Sequence, residues 1–207
     1  MKIRTLFVVI AALAVLAGCK QQSTQPSALD VIMTRTSIRN FTGDPVSQEQ
    51  LETILRAGMA APSAINIQPW RFVVLTDKER IAELFGGGFR AQMFTSAGAV
   101  IVVCGQTTFM RKPWGQPDAP EELSDNIFWF EDCSAAAQNI LLAAHALGLG
   151  AVWTAGYPAM DRVAPLAQSL GLPSDVLPLC VIPIGVPAEN PDPKDKWKPE
   201  NIHWEKW

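Results

Sequence analysis

Residues 126–154 read NIFWFEDCSAAAQNILLAAHALGLGAVWT. From Asn126 to Leu147 the apolar residues keep helical spacing, Ala and Leu dominate, and Gly148 falls where a left-handed residue closes a helix. The pattern predicts the central helix of the fold over that span, followed at once by a strand from Gly150 to Thr154. Outward from this pair the same punctuation recurs. Downstream, Asp161 to Leu170 reads as a helix stopped by Gly171 and Pro173, and Leu177 to Ile184 as a last core strand. Upstream, Ala99 to Cys104 reads as a strand, and Gly105 to Ser124, broken by Pro113, Pro117 and Pro120, as a long surface excursion. Before these come a short helix from Ala28 to Arg35 and a helix from Gln48 to Ala60 opened by the capping box of Ser47 and Gln50. A buried strand from Trp70 to Leu75 follows, then a short helix capped by Asp77 and broken at Gly86-Gly87-Gly88. Such alternation implies one domain of α/β or α+β layers on a single sheet. The tail from Pro187 reads as an extended arm over a surface.

With 207 residues, 48% of them hydrophobic and 18% charged, the chain suits one packed domain. Its net charge of −3 lacks the basic excess that neutralises phosphates, so no nucleic-acid partner is expected. Lys2 and Arg4 precede an apolar run from Leu6 to Ala17 that ends at Gly18-Cys19, a charged n-region followed by an h-region. The run is shorter than the roughly 20 residues of a spanning helix, which favours export over a permanent span. The ending Leu16-Ala17-Gly18-Cys19 resembles the lipobox of bacterial lipoproteins, in which the cysteine is acylated after cleavage; ordinary secretion is the simpler alternative. The expected layout is a signal peptide over 1–18, lipidation at Cys19, a polar spacer over 19–27 and a domain over 28–207. That layout describes an exported, membrane-anchored lipoprotein of a bacterial cell envelope. Cys104, Cys133 and Cys180 lie in apolar surroundings without CxxC spacing and read as buried small hydrophobes, with a disulfide as the alternative.

Several chemistries are set aside by what is missing from the pattern. With two histidines, His145 and His203, and no GxSxG, neither a multi-His metal site nor a serine-hydrolase elbow is supported, and no metal is expected. His145, inside the central helix, reads as a structural histidine. Gly86-Gly87-Gly88 lacks the Lys-Ser/Thr of a phosphate loop, and Gly148-Leu149-Gly150 puts Trp153 where a third fingerprint glycine belongs, so both read as helix ends. Two stretches remain. Arg35-Thr36-Ser37-Ile38-Arg39 sets two guanidinium forks around two hydroxyls, a donor set suited to phosphate oxygens. Pro62-Ser63-Ala64-Ile65-Asn66-Ile67-Gln68-Pro69-Trp70 holds hydroxyl and amide groups between prolines, able to offer directional hydrogen bonds to a heteroaromatic edge.

Together these stretches resemble the nitroreductase family of FMN-dependent oxidoreductases. The resemblance runs from Ala28 to Trp207 and rests on the order of elements, the two stretches just quoted, Gly148-Leu149-Gly150-Ala151-Val152-Trp153, and Lys194-Asp195-Lys196. It implies an α+β fold, an α/β three-layer arrangement with a central mixed, mainly antiparallel sheet flanked by helices. It also implies a homodimer with shared FMN sites, NADH or NADPH as donor, and a small oxidised acceptor such as a nitroaromatic or a quinone. By resemblance, Arg35, Thr36, Ser37 and Arg39 grip the FMN phosphate and ribityl chain. Pro62, Ser63, Ala64, Asn66 and Gln68 reach the flavin across the subunit interface. The backbone of Trp153, Thr154, Ala155 and Gly156 runs along the isoalloxazine, and Lys194 and Lys196 return to the phosphate. The family's late pair is more often Lys then Arg, so Lys196 supplies a point charge in place of a fork.

The hydride chemistry belongs to the flavin N5, and no catalytic side chain is assigned. Phe109, Met110 and Trp114 in the excursion are expected to select the acceptor. Two other readings keep the same residues: a flavin-dependent dehydrogenase or other flavin chemistry on this fold, and a non-catalytic lipoprotein that carries flavin or another planar ligand.

Overall fold

Two unbroken apolar runs rich in Val and Ile, residues 99–103 and 179–184, mark strands buried on both faces, and in the structure they pair with each other. The structure, a computed structural model, describes residues 26–207; the expected signal segment and Cys19 lie outside the described residues. In chain order the elements are α1 (Ala28–Thr34), α2 (Gln48–Met59), β1 (Trp70–Leu75), α3 (Lys78–Phe85), α4 (Ala91–Thr95), β2 (Ala99–Gln106), β3 (Thr108–Arg111) and β4 (Glu122–Asp125). They continue with α5 (Trp129–Ala146), β5 (Gly150–Ala151), β6 (Thr154–Ala155), α6 (Met160–Ser169) and β7 (Val176–Gly185). Short 3-10 turns sit at Ala64–Asn66 and Pro199–Asn201.

The main sheet runs β1-β2-β7-β5, with β6 also on β7, and every ladder among the described residues is antiparallel. One face carries Ile101, Val103 and Ile182 against α2 and α5; the other carries Val100, Val102 and Val181 against α3, α4 and Ile38. This is the expected α+β layering, with a second two-stranded sheet, β3-β4, that was not expected.

Local chemistry explains most boundaries. Ser47 accepts from Gln50 N–H while the Gln50 side chain accepts from Ser47 N–H, so the capping box forms and α2 buries Leu51 and Ile54. Helix α5 starts at Trp129, three residues later than the periodicity predicts. The buried Asn126 accepts from Phe128 N–H and donates to the Gln106 carbonyl, holding a turn where the helix would otherwise begin. At its other end Gly148 takes φ +75° and closes the helix as expected. The strand expected over Gly150–Thr154 is interrupted at Val152–Trp153 and becomes β5 and β6. The excursion is partly ordered, because β2 continues to Gln106 and residues 108–111 and 122–125 form the β3-β4 hairpin. Cys104, Cys133 and Cys180 are buried free thiols; burial pushes Cys104 and Cys133 up to about 12, and Cys180 well above its usual value.

Gly150 ties the fold to the site. A Cβ built there would lie 2.7 Å from Ile38 Cβ, so only glycine lets the segment after α1 cross this close to β5. Gly150→Ala is expected to destabilise the protein by about 1–3 kcal/mol, measured by urea unfolding, and to displace Ile38 and the basic segment around it.

Candidate functional site

Helix α1 ends at Arg35, where ψ turns to 125° and the chain becomes extended. Ile38 N–H donates to the Ala151 carbonyl at 3.1 Å, so Arg35, Thr36, Ser37 and Arg39 are laid along the outer edge of β5. From the other side Glu189 accepts from Arg39 N–H at 2.6 Å, Asn40 N–H at 3.2 Å and the Asn40 amide at 2.7 Å. These bonds, led by that of Arg39 N–H, hold the Glu189 carboxyl below its usual value. Among the described residues the side chains of Arg35, Thr36, Ser37 and Arg39 have no hydrogen-bond or ion-pair partner. Two forks and two hydroxyls are therefore uncommitted, a donor set that fits a phosphate monoester and a polyol chain.

His145 borders this segment from α5. Thr34 Oγ1 donates to the Asp30 carbonyl at 2.6 Å, so towards His145 Nε2, 2.9 Å away, it accepts, and Nε2 carries the hydrogen. Burial, and then the Arg35 charge, push the His145 pKa down. That is the structural histidine expected from its place in the helix.

Next to β5, Thr154, Ala155 and Gly156 form one wall of a cavity of about 620 Å3. Gly87, Gly88, Phe89 and Arg90 also line it, as does Arg162 of α6. Thr154 Oγ1 donates to the Val181 carbonyl at 2.6 Å, and the N–H groups of Gly156 and Tyr157 donate to the Leu179 carbonyl, which fixes the wall. A partly apolar slot of this volume, bordered by backbone and guanidinium groups, has room for an isoalloxazine ring. Trp153 does not line it; its side chain packs into the core on the α5 side. Arg90 and Arg162 escaped the sequence reading. The Gly86–Gly88 triplet that precedes Arg90 reads there as a helix end alone.

The Pro62–Pro69 loop lies at the opposite edge of the sheet, before β1, and shares no lining residue with that cavity. Ile65, Asn66 and Gln68 adopt φ of +42°, +60° and +56°, a left-handed run that costs on the order of 1–3 kcal/mol per residue without glycine. Four hydrogen bonds impose it. Gln68 N–H donates to Ser63 Oγ at 3.0 Å, the Gln68 amide to Asn66 Oδ1 at 3.0 Å, Arg71 to the Gln68 carbonyl at 3.3 Å, and Ala64 N–H to Asp132 Oδ1 at 3.0 Å.

A second cavity, about 460 Å3, opens between this loop and the β3-β4 hairpin, lined by Ala64, Ile65, Phe109, Arg111, Trp114 and Phe128 among others. The register pairs Phe109 with Ser124 and Met110 with Leu123, so successive side chains face opposite sides of the ribbon. Phe109 and Trp114 line the cavity. Met110 does not; it points to the far side, 55% exposed, and Arg111, with Nε donating to Ser124, takes the inner position. Period-two alternation over Thr108–Arg111 would have shown this had the hairpin been recognised. Lys194 and Lys196 lie on the tail arm, where every residue from Asn190 to Trp207 is exposed, and among the described residues no hydrogen bond or ion pair ties them to the Arg35–Arg39 segment.

The model of the Nitroreductase family matches residues 32–90 and 86–186. The chain belongs to the nitroreductase family. A candidate NADH dehydrogenase/NAD(P)H nitroreductase of Methanothermobacter thermautotrophicus is 41% identical over 179 residues, covering 86% of this chain and 87% of the relative. The structure of a candidate protein of the same description from Bacteroides thetaiotaomicron is 41% identical with TM-score 0.76, over 89% of this chain and all of that one. A candidate nitroreductase of Desulfovibrio desulfuricans, solved in complex with FMN, is 32% identical with TM-score 0.69 over 89% of this chain and 99% of that one.

Glu189 gives this nitroreductase a measurable acid response. Its folded pKa lies below its unfolded value, so the stabilisation it provides is complete above the ordinary carboxylate range and is lost as pH falls through the lowered folded value. Glu189→Gln should flatten that acid limb in a stability-against-pH series and loosen the Arg39–Asn40 backbone, seen as faster amide exchange.

Proposed function

We propose that this protein is an FMN-dependent oxidoreductase that passes electrons from NADH or NADPH to a small oxidised acceptor such as a nitroaromatic or a quinone. The observation that carries the reading is the uncommitted donor set of Arg35, Thr36, Ser37 and Arg39 on the same strand edge as the slot walled by Thr154–Gly156. When bound, FMN supplies the two-electron relay between nicotinamide and acceptor. The rest is positioning and electrostatics by this chain. The two arginines anchor the phosphate, the Thr36 and Ser37 hydroxyls meet the ribityl chain, and the strand backbone over Thr154–Gly156 supports the ring. Arg90 and Arg162 place positive charge on the cavity wall, where it favours the more negative, reduced cofactor.

The site is read as shared between two copies. Pro62, Ser63, Ala64, Asn66 and Gln68 flank the opposite sheet edge from the Thr154–Gly156 slot, and a two-fold partner would bring one set to the other. Support comes also from the arm, which leaves Trp197, Trp204 and Trp207 at 70%, 80% and 98% exposure, more aromatic surface than a lone protomer favours. Folded over a second copy, the arm covers those rings and returns Lys194 and Lys196 towards a phosphate. Phe109, Arg111 and Trp114, which meet Ile65 around the second cavity, are read as the acceptor wall.

The location is read from the N-terminal sequence alone. Lys2, Arg4, the run from Leu6 to Ala17 and Leu16-Ala17-Gly18-Cys19 support a signal peptide over 1–18, lipidation at Cys19, the spacer over 19–27 and anchorage of the 28–207 domain in a bacterial envelope. Among the described residues no helix is long and apolar enough to cross a membrane.

Purified protein should show a flavin spectrum that NADH or NADPH bleaches anaerobically and a nitroaromatic or quinone restores. A spectrum that no nicotinamide bleaches would favour another donor or the carrier reading, and a colourless protein that refuses FMN would sink the cofactor assignment. Arg35→Gln should weaken FMN binding by about ten- to a hundredfold, the value of one or two charge-assisted bonds, with Arg35→Lys between, read by fluorescence quenching. Trp114→Ala should change the ranking of acceptors by kcat/KM and leave the nicotinamide half-reaction intact.

A further inference from the structure

Asp132 is a buried acidic side chain that the proposed function leaves without a role. It sits in the first turn of α5 and is 7% exposed. The helix dipole accounts for an acid at this position. It does not account for the hydrogen bonding, in which Oδ1 accepts from Ala64 N–H at 3.0 Å and the buried Oδ2 has no partner among the described residues. A buried carboxylate oxygen without a donor is costly enough that native proteins rarely keep one. Asp132 also lines a third hollow, about 350 Å3, bounded by Pro62, Ser63, Ala64, Phe128 and Ala135. The loop it holds is the one with three left-handed, non-glycine residues, and the Ala64 bond is its tie to a helix.

We propose that Asp132 is a positioning residue of the cofactor site: Oδ1 fixes the strained loop at Ala64, and Oδ2 accepts one N–H or O–H donor that arrives when the site is assembled. Two groups carry such a donor, the ring imide of FMN and a second copy of this chain. The inference rests on the flavin reading above. Changing the acid to its amide separates the two oxygens, because the amide oxygen of Asp132→Asn can still accept from Ala64 while its nitrogen presents a donor to a donor.

The test compares the full chain with Asp132→Asn and Asp132→Ala by melting temperature, dimer mass in sedimentation, and the Kd for FMN and for N3-methyl-FMN. Asp132→Asn is expected to melt close to the parent protein yet to lose about tenfold or more in FMN affinity or in dimer affinity. If the donor is the ring imide, the parent protein binds the N3-methyl analogue about tenfold more weakly than FMN, Asp132→Asn no longer distinguishes them, and this comparison needs no variant to show its first half. If the donor is the second copy, the FMN-free dimer of Asp132→Asn dissociates at higher concentration and both flavins are affected alike. Asp132→Asn that matches the parent in FMN affinity and in dimer mass overturns the proposal, even where Asp132→Ala is impaired, since Oδ2 would then have no partner. A parent protein that binds no FMN overturns the flavin reading instead, and the dimer arm then decides the role of Oδ2 by itself.

Discussion

The pairing of β7 along both of its edges is the constraint from which the rest of this nitroreductase is built. On one side Val176–Gly185 carries β2; on the other it carries β5 and β6 in succession. Both faces of this strand pair are covered, by α2 and α5 on one side and by α3, α4 and Ile38 on the other, so a one-residue slip would exchange the two sets of core side chains and misfit both helical layers. Everything chemical hangs from the outer edge of that ladder. Ala151 receives Ile38 and hence the arginine segment, and Thr154 and Gly156 are pinned to the Val181 and Leu179 carbonyls.

The interruption between β5 and β6 has its own logic. A continuous strand from Gly150 to Thr154 would keep its inward backbone groups in the ladder with β7 throughout. The break at Val152–Trp153 lets Trp153 turn into the core while the following residues face the slot. A rigid interior and an accessible backbone thus come from the same five residues. At the far edge of the sheet the Pro62–Pro69 loop is held by side chains in place of a ladder.

Much of this architecture was legible in the sequence because it follows from local rules. The capping box at Ser47, the Asp77 cap, the Gly148 stop and the apolar strands all fall where spacing and residue type put them. What escaped depended on contacts distant in sequence or on geometry that composition does not encode. Asn126 delays α5 by bonding Gln106, twenty residues away. The β3-β4 hairpin joins two short strands across a proline-rich stretch, which hid the alternation that turns Met110 out and Arg111 in. Arg35, Thr36, Ser37 and Arg39 could be named from residue type alone, whereas their lack of side-chain partners among the described residues follows from how the fold lays the segment along β5. Arg90 could not be named, since the glycines beside it carry no sign of what their backbone approaches.

The left-handed run at Ile65, Asn66 and Gln68 bears on how this protein can evolve. Glycine at Ile65, whose side chain makes none of the hydrogen bonds that hold the loop, would relax the backbone there, and the folded state would gain stability from one substitution. The same change would let the loop sample many shapes, so each binding event would have to reorder it. Thermal robustness and ligand retention therefore pull position 65 in opposite directions. A population selected for heat resistance alone would drift towards glycine at the loop, and the chain would become hardier as it became a poorer host for its cofactor.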